Sequence, residues 1–139
     1  MKHHNLFGSK QMCAVAVLVA LFGWPFAASA YDSKSNNANG VRVEVRLLEF
    51  TPGQPAKFEV RMNTHSVDLS QDMVAVTTLK DDEGRDYLPT KWEGSSPGGH
   101  HRSGVLYFPK IEGSPKSLTL TIREIAGVPE RDFAWTLKQ

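Results

Sequence analysis

Hydrophobic and polar residues alternate with a period of two along much of the chain beyond residue 40. Over residues 41–47, valine and leucine alternate with arginine and glutamate, which is the pattern of a strand with one buried and one exposed face. The pattern predicts seven short strands, over residues 41–47, 57–62, 73–80, 86–88, 105–108, 118–122 and 133–137. Short strands separated by turn residues predict an all-β fold, a single β-sandwich of immunoglobulin-like architecture over residues 41–139.

Three polar segments lack this alternation. Residues 31–40 are rich in serine and asparagine and are predicted to be a flexible lead-in. Residues 63–72 are predicted to be a loop, and residues 93–104, which are rich in glycine, a long loop or a wide hairpin end. Loops of a sandwich carry its binding groups in most such folds, so binding residues are expected in the loops over residues 63–72 and 93–104.

The first 30 residues have the form of an export signal. A polar start with Lys2 and Lys10 precedes an almost wholly apolar run over residues 12–26, and Ala28-Ser29-Ala30 is a cleavage sequence of the A-x-A form. The apolar run is shorter than the roughly 20 residues that a spanning helix needs. A signal peptide over residues 1–30 is therefore predicted, with no membrane span after cleavage and a secreted or periplasmic product.

Composition changes this picture in two ways. The only cysteine, Cys13, lies in the leader, so the exported domain has no disulfide and depends on its core, which is feasible at about 100 residues. The chain has 16 basic and 15 acidic side chains, and Lys2 and Lys10 leave with the leader. This even balance gives no electrostatic case for nucleic acid as a partner.

The histidines of the predicted domain all fall in the two loop segments. His65 lies in the first loop, and His100 and His101 lie in the second. Imidazole is a ligand for copper and zinc, and a carboxylate from Asp68 would complete a site. If the two loops share one end of the sandwich, a transition-metal site is predicted at His65, Asp68 and one or both of the adjacent histidines.

Other interpretations of these residues stay open. Histidines at strand ends also cap carbonyl groups or stack on aromatic rings, and the spacing matches no standard ligand motif. A blue-copper centre is excluded because it needs a cysteine thiolate. Met62 falls on the apolar face of its strand and is predicted to be core.

Enzyme activity is not expected. Ser66, His65 and Asp68 are too close in sequence to align as a catalytic triad, and no G-x-S-x-G motif is present.

The alternative to a metal site is a structural or protein-interaction module of the periplasm or cell envelope. Its contact surface would consist of Trp92 with Gly98, Gly99 and Arg102 in the glycine-rich loop. Trp92 either anchors that loop from below or shows its face to a partner, and anchoring is favoured because a long loop needs support. Tyr107 and Trp135 alternate with apolar residues and are predicted to be buried.

Overall fold

The computed structural model describes residues 31–139, and the leader predicted over residues 1–30 lies outside the described residues. The described part contains nine strands and no helix. The strands are β1 Lys34–Ala38, β2 Val41–Glu49, β3 Pro55–Thr64, β4 Thr77–Asp81, β5 Asp86–Tyr87, β6 Lys91–Gly94, β7 His101–Lys110, β8 Ser117–Ile125 and β9 Val128–Thr136. The predicted all-β class is confirmed.

The strands form two antiparallel sheets with a sandwich-like arrangement. One sheet has the strand order β1-β2-β3-β7-β6, and the other has the order β5-β4-β8-β9. The chain passes between the sheets after β3, after β5 and after β7. Consequently β3 and β7, which are far apart in sequence, are neighbours over most of their length, with Asn63 opposite His101 and Lys57 opposite Tyr107.

The inward side chains of both sheets join in one apolar cluster. Phe58 lies at its centre, with its ring 5.5 Å from that of Phe108 in the same sheet and 5.4 Å from that of Trp135 in the other. Met62 and Trp135 are buried as predicted. The residues of this cluster that the structure describes come mainly from strands of both sheets and include no cysteine.

The flexible lead-in predicted over residues 31–40 is wrong for Lys34–Ala38, which form strand β1 along β2. The inward positions of this edge strand carry lysine, asparagine and alanine rather than large apolar residues, so it has no hydrophobic alternation to detect. Polar contacts hold it instead. The buried guanidinium of Arg131 donates hydrogen bonds to Asn36 Oδ1, 2.8 Å, and to Ala38 O, 3.0 Å.

Three predicted boundaries are also wrong. The strand predicted over residues 73–80 begins only at Thr77, because Asp72 folds the preceding segment into a turn, with its Oδ1 accepting from Val74 N at 2.9 Å. The loop predicted over residues 93–104 shrinks to residues 95–100, since β6 and β7 pair through Gly94 and Gly104. Pro109 does not end β7, since β6 pairs with β7 only as far as Tyr107 and the missing N–H of Pro109 falls beyond that ladder.

Tyr107 is not buried as predicted but lies half-buried on the outer face of the five-stranded sheet. Lys91 Nζ lies 4.4 Å from the centre of its ring, and its hydroxyl donates to Glu93 Oε2 at 2.8 Å. The alternation with Val105 placed the two side chains correctly on one face, but that face is the outer one.

Candidate functional site

The loops that carry the histidines meet at one end of the molecule. Thr64 N donates to His100 O at 3.0 Å, Leu69 N donates to Gly99 O at 3.0 Å, and Gly98 N donates to Leu69 O at 2.8 Å. These main-chain bonds extend the pairing of β3 with β7 beyond the sheet. The shared end that a histidine site requires is therefore present.

Asp68 fastens the two loops to each other. Its Oδ1 accepts a hydrogen bond of 2.8 Å from Gly99 N. Gly98 and Gly99 have φ angles of 109° and 78°, a region that side chains other than that of glycine rarely enter. The glycine pair thus allows the sharp turn, and the Asp68 carboxylate is engaged in holding it.

The three histidine side chains are all exposed. His101 is the only one with a hydrogen bond from its ring among the described residues, between its Nδ1 and Asn63 Oδ1 at 2.8 Å. Within residues 31–139, no group of three or more histidine, cysteine, aspartate or glutamate side chains is placed to hold a metal ion. The structure joins the two loops, but it does not gather the predicted ligands into such a group.

Arg102, predicted to lie on a contact surface, is instead only 2% exposed. Its Nη1 donates to Leu69 O at 3.0 Å and to Gln71 O at 2.7 Å, and its Nη2 reaches Ser95 O at 3.4 Å. Burial lowers the pKa of the guanidinium, an effect that the charge of Asp72 opposes. One buried cation therefore ties both loops to β7 through carbonyl oxygens.

Trp92 anchors the second loop from below, as predicted. Its indole N–H donates to Ser95 O at 3.0 Å, and the ring lies 5.7 Å from the guanidinium carbon of Arg102. A Cβ added at Gly104 would lie 2.6 Å from Trp92 Cζ2, so the glycine makes room for the ring. Trp92 is half-buried, whereas the exposed large apolar side chain of the described part is Leu88, at 66%.

Beside this end, the outer face of the five-stranded sheet carries a shallow groove of about 670 Å³. We call it the outer groove. It lies over the β3–β7 ladder, and its lining consists of Glu59, Arg61, Asn63, Ser95, His101, Arg102, Ser103, Gly104 and Val105. Small residues form its floor at Ser103 and Gly104, while longer charged and polar side chains rise on the β3 side.

Ion pairs link charged side chains of β2 and β3 on this face. The Glu59 carboxylate accepts from Arg46 Nη2 and from Arg61 Nη2, both at 2.9 Å. The hydrogen bond to Glu59 raises the pKa of Arg61, so this guanidinium stays charged. Sequence reasoning missed the outer groove, because only the unforeseen register of β3 against β7 places Arg61 beside Ser103.

The chain matches no protein-family model, no curated protein and no solved structure. A search of residues 31–139 finds no helix that is long and apolar enough to cross a membrane.

Proposed function

We propose that the chain is an exported, non-catalytic binding module that holds an extended polar segment of a partner protein in the outer groove. The observation that carries this proposal is the groove itself, a polar channel beside an end of the sandwich where two loops are fastened by buried contacts. The function is that of an interaction module of the periplasm or cell envelope.

The lining suits hydrogen bonding to a polypeptide. Asn63, Ser95 and Ser103 offer neutral donors and acceptors, and Arg61 and Glu59 offer one charge of each sign. Val105 is the apolar side chain of the lining. Such a surface resembles the polar, hydrated interfaces of reversible complexes rather than the apolar core of a permanent one.

The groove is also preorganised. Arg102 and Trp92 both bond to Ser95 O, which fixes the wall formed by the second loop. A site whose walls are held before binding loses less conformational entropy on association. This supports recognition by the folded surface rather than by a loop that orders around its ligand.

The strand order supports an immunoglobulin-like architecture. With β1 and β5 set aside, the order β2-β3-β7-β6 faces the order β4-β8-β9, which corresponds to sheets ABED and CFG of that fold. Immunoglobulin-like domains place ligands on loops and on sheet faces alike, so the architecture accommodates the outer groove without requiring enzymatic function.

Export with cleavage after Ala30 is part of the proposal, and the contacts of Tyr31 and Asp32 are compatible with it. Asp32 O accepts a hydrogen bond of 2.8 Å from Trp135 Nε1, and the hydroxyl of Tyr31 accepts one of 3.2 Å from Lys138 N. The first two residues of the expected mature protein are thus bonded to the domain. Amino-terminal sequencing of the protein from producing cells is expected to begin at Tyr31, and a sequence beginning with Met1 would contradict export.

The binding proposal is tested by site-specific crosslinking in producing cells. A photoreactive phenylalanine analogue replaces Ser103 in the outer groove, and a matched control carries it at Thr119 on the outer face of the other sheet. A discrete adduct from position 103 that is missing from position 119 is expected. Equal adducts from both positions, or none from position 103, would contradict a partner in the groove.

Copper or zinc binding at the histidine end is the second candidate, favoured by the hydrogen bond from Thr64 N to His100 O that brings the loops together. Calorimetric titration of residues 31–139 with each metal is compared with a His65→Ala/His100→Ala/His101→Ala variant. Tight one-to-one binding that the folded variant loses would support a metal site. Equal heats from the two proteins would reject it and leave the outer groove as the site.

A further inference from the structure

Within residues 31–139, no strand pairs with the outer edge of β6, and the main-chain groups of this strand alternate in direction. Ser95 N donates to Ser103 O at 2.9 Å, one step beyond the register pair of Gly94 with Gly104. In an antiparallel ladder, alternate residues direct their main-chain groups to the same neighbour. Lys91 and Glu93 therefore bond towards β7, and Trp92 and Gly94 present their N–H and C=O groups at the open edge.

We infer that the molecule self-associates through this edge, with β6 of one chain pairing antiparallel to β6 of a second copy and Trp92 opposite Trp92 of that copy. This inference does not rest on the outer groove. A symmetric pair of identical strands is antiparallel because a two-fold axis relates them, and joining the edges would merge the five-stranded sheets into one continuous sheet.

Charge decides the register. With Trp92 at the two-fold axis, Lys91 of each chain faces Glu93 of the other, at a position where the side chains approach closely. Both side chains are more than half exposed on the outer face, at 51% and 55%. Shifting the register by one step in either direction places Lys91 against Lys91 or Glu93 against Glu93, and like charges directly opposite are destabilising.

The new ladder is limited to β6 itself, Lys91–Gly94, because the alternation of main-chain groups ends at Thr90. Thr90 N is engaged with Tyr107 O at 2.7 Å, so at Thr90 the carbonyl is the group available to the second copy.

The other sheet edges are less suited to this pairing. In β1, the carbonyl oxygen of Ala38 accepts a hydrogen bond from Arg131. The edge strands β1 and β9 lie beside each other, and the edge strand β5 has only two residues. Of the described edges, that of β6 combines exposed main-chain groups with a self-complementary charge pair. The partner that fits it is a second copy of this chain.

Sedimentation equilibrium of residues 31–139 over a range of concentrations tests the inference. A monomer–dimer equilibrium is expected for the wild type. Glu93→Lys is expected to weaken it at least about tenfold, because two like-charged pairs replace two attractive ones. The double variant Lys91→Glu/Glu93→Lys restores opposite charges and is expected to restore the dimer. Glu49→Lys, an exposed charge reversal at the end of β2, serves as the control.

Cysteine crosslinking determines the register of β6 against β6 of the second copy. Residues 31–139 contain no natural cysteine, so an introduced cysteine is the only thiol in this range. A mixture of Lys91→Cys and Glu93→Cys chains is expected to form a disulfide between chains on oxidation. Neither variant alone is expected to do so, since identical positions lie beyond the roughly 7 Å between Cα atoms that a disulfide bridges. A monomer at all concentrations, or a dimer that tolerates Glu93→Lys and crosslinks in the unmixed samples, would overturn the inference.

Discussion

Buried arginines hold one end of this molecule together. Arg102 and Arg131 are 2% and 1% exposed, and their hydrogen bonds go to carbonyl and amide oxygens rather than to carboxylates. Each guanidinium satisfies acceptors from several segments at once, which an apolar side chain could not do. The hydrogen bonds to these oxygens offset part of the cost of burying each charge.

Sequence could not foresee these two roles. Arginine is usually exposed, and the position of Arg102 in a glycine-rich segment predicts a place on a contact surface. Trp92, by contrast, is predicted to anchor the loop because a long loop needs support, and its hydrogen bond to Ser95 O agrees with this. The difference is that Trp92 acts on its own neighbourhood, whereas Arg102 bonds to a segment about 30 residues away.

Replacing Arg102 by lysine tests the clamp, by which we mean the hydrogen bonds from Arg102 to the carbonyl oxygens of the two loops. Lysine keeps the charge but lacks the planar fork that reaches three carbonyls, so Arg102→Lys is expected to lower the free energy of unfolding by about 2 kcal/mol. Amide exchange at Leu69 and Gly98 is expected to accelerate as well. Urea denaturation and hydrogen exchange measure both. Arg42→Lys, at an exposed ion pair, is the control, and equal effects of the two variants would contradict the clamp.

Asp81 controls the acid stability of the turn over residues 81–85, which joins β4 to β5. Burial alone would raise the pKa of its carboxyl group, but hydrogen bonds donated by the main chain and side chain of Arg85, the hydroxyl of Tyr87 and the main chain of Glu83 outweigh burial and lower the pKa below 3.8. Because the folded pKa is depressed, the stabilisation is present above the unfolded pKa and is lost as the pH falls through the folded one.

Asp81→Asn is therefore expected to reduce stability at pH 7 by about 1–3 kcal/mol. The difference from the wild type should begin to shrink as the pH falls below about 4, where the carboxyl group of the unfolded chain takes up a proton, and it should vanish below the depressed pKa of the folded protein. Urea denaturation at pH 7 and pH 3 measures this. Asp86→Asn, at an exposed ion pair with Lys80, should change little at either pH. A constant difference across this range would show that the charge of Asp81 is not the cause.

At the scale of elements, the strands with clean alternation were predictable, whereas β1 and β6 were not. β2, β3 and β8 have a neighbour on each side and bury one face against the other sheet, so their sequences alternate cleanly. β1 is an edge strand whose inward positions are polar, and β6 is a short edge strand that ends in glycine. Alternation of apolar and polar residues indicates that one face of a strand is buried. β1 and β6 are held mainly by hydrogen bonds and by single side chains, so their sequences do not show it.

Deleting residues 31–38 tests whether this segment stabilises the fold as a strand or is a lead-in without effect on stability. Without β1, Arg131 loses Asn36 Oδ1 and Ala38 O, and Trp135 Nε1 loses Asp32 O. The free energy of unfolding is expected to fall by about 3 kcal/mol or more, because a buried cation is left under-bonded. Denaturant unfolding measures the loss. Alanine at the exposed residues Ser35 and Asn37 should cost much less, and a harmless deletion would show that β1 adds nothing.

At the scale of the whole molecule, one core joins both sheets and both ends of the range 31–139. Trp135 near the carboxyl end packs on Phe58, and its indole N–H bonds to Asp32 near the start of the fold. Strands from the beginning and the end of the range are thus fixed by the same side chain. Pairs as distant as β3 and β7 must form before the core is complete, so folding depends on contacts between remote parts of the chain.

This arrangement predicts a single cooperative transition for residues 31–139, unaffected by reducing agents. No cysteine is present, so a thiol reductant has no bond to break, and no strand pair has a core of its own to unfold separately. Far-ultraviolet circular dichroism and near-ultraviolet signals from Trp92 and Trp135 are expected to give the same midpoint, with and without dithiothreitol. Separate midpoints would mean that the histidine end, held by Arg102 and Asp68, unfolds apart from the sheets, and that its polar contacts rather than the core set its stability.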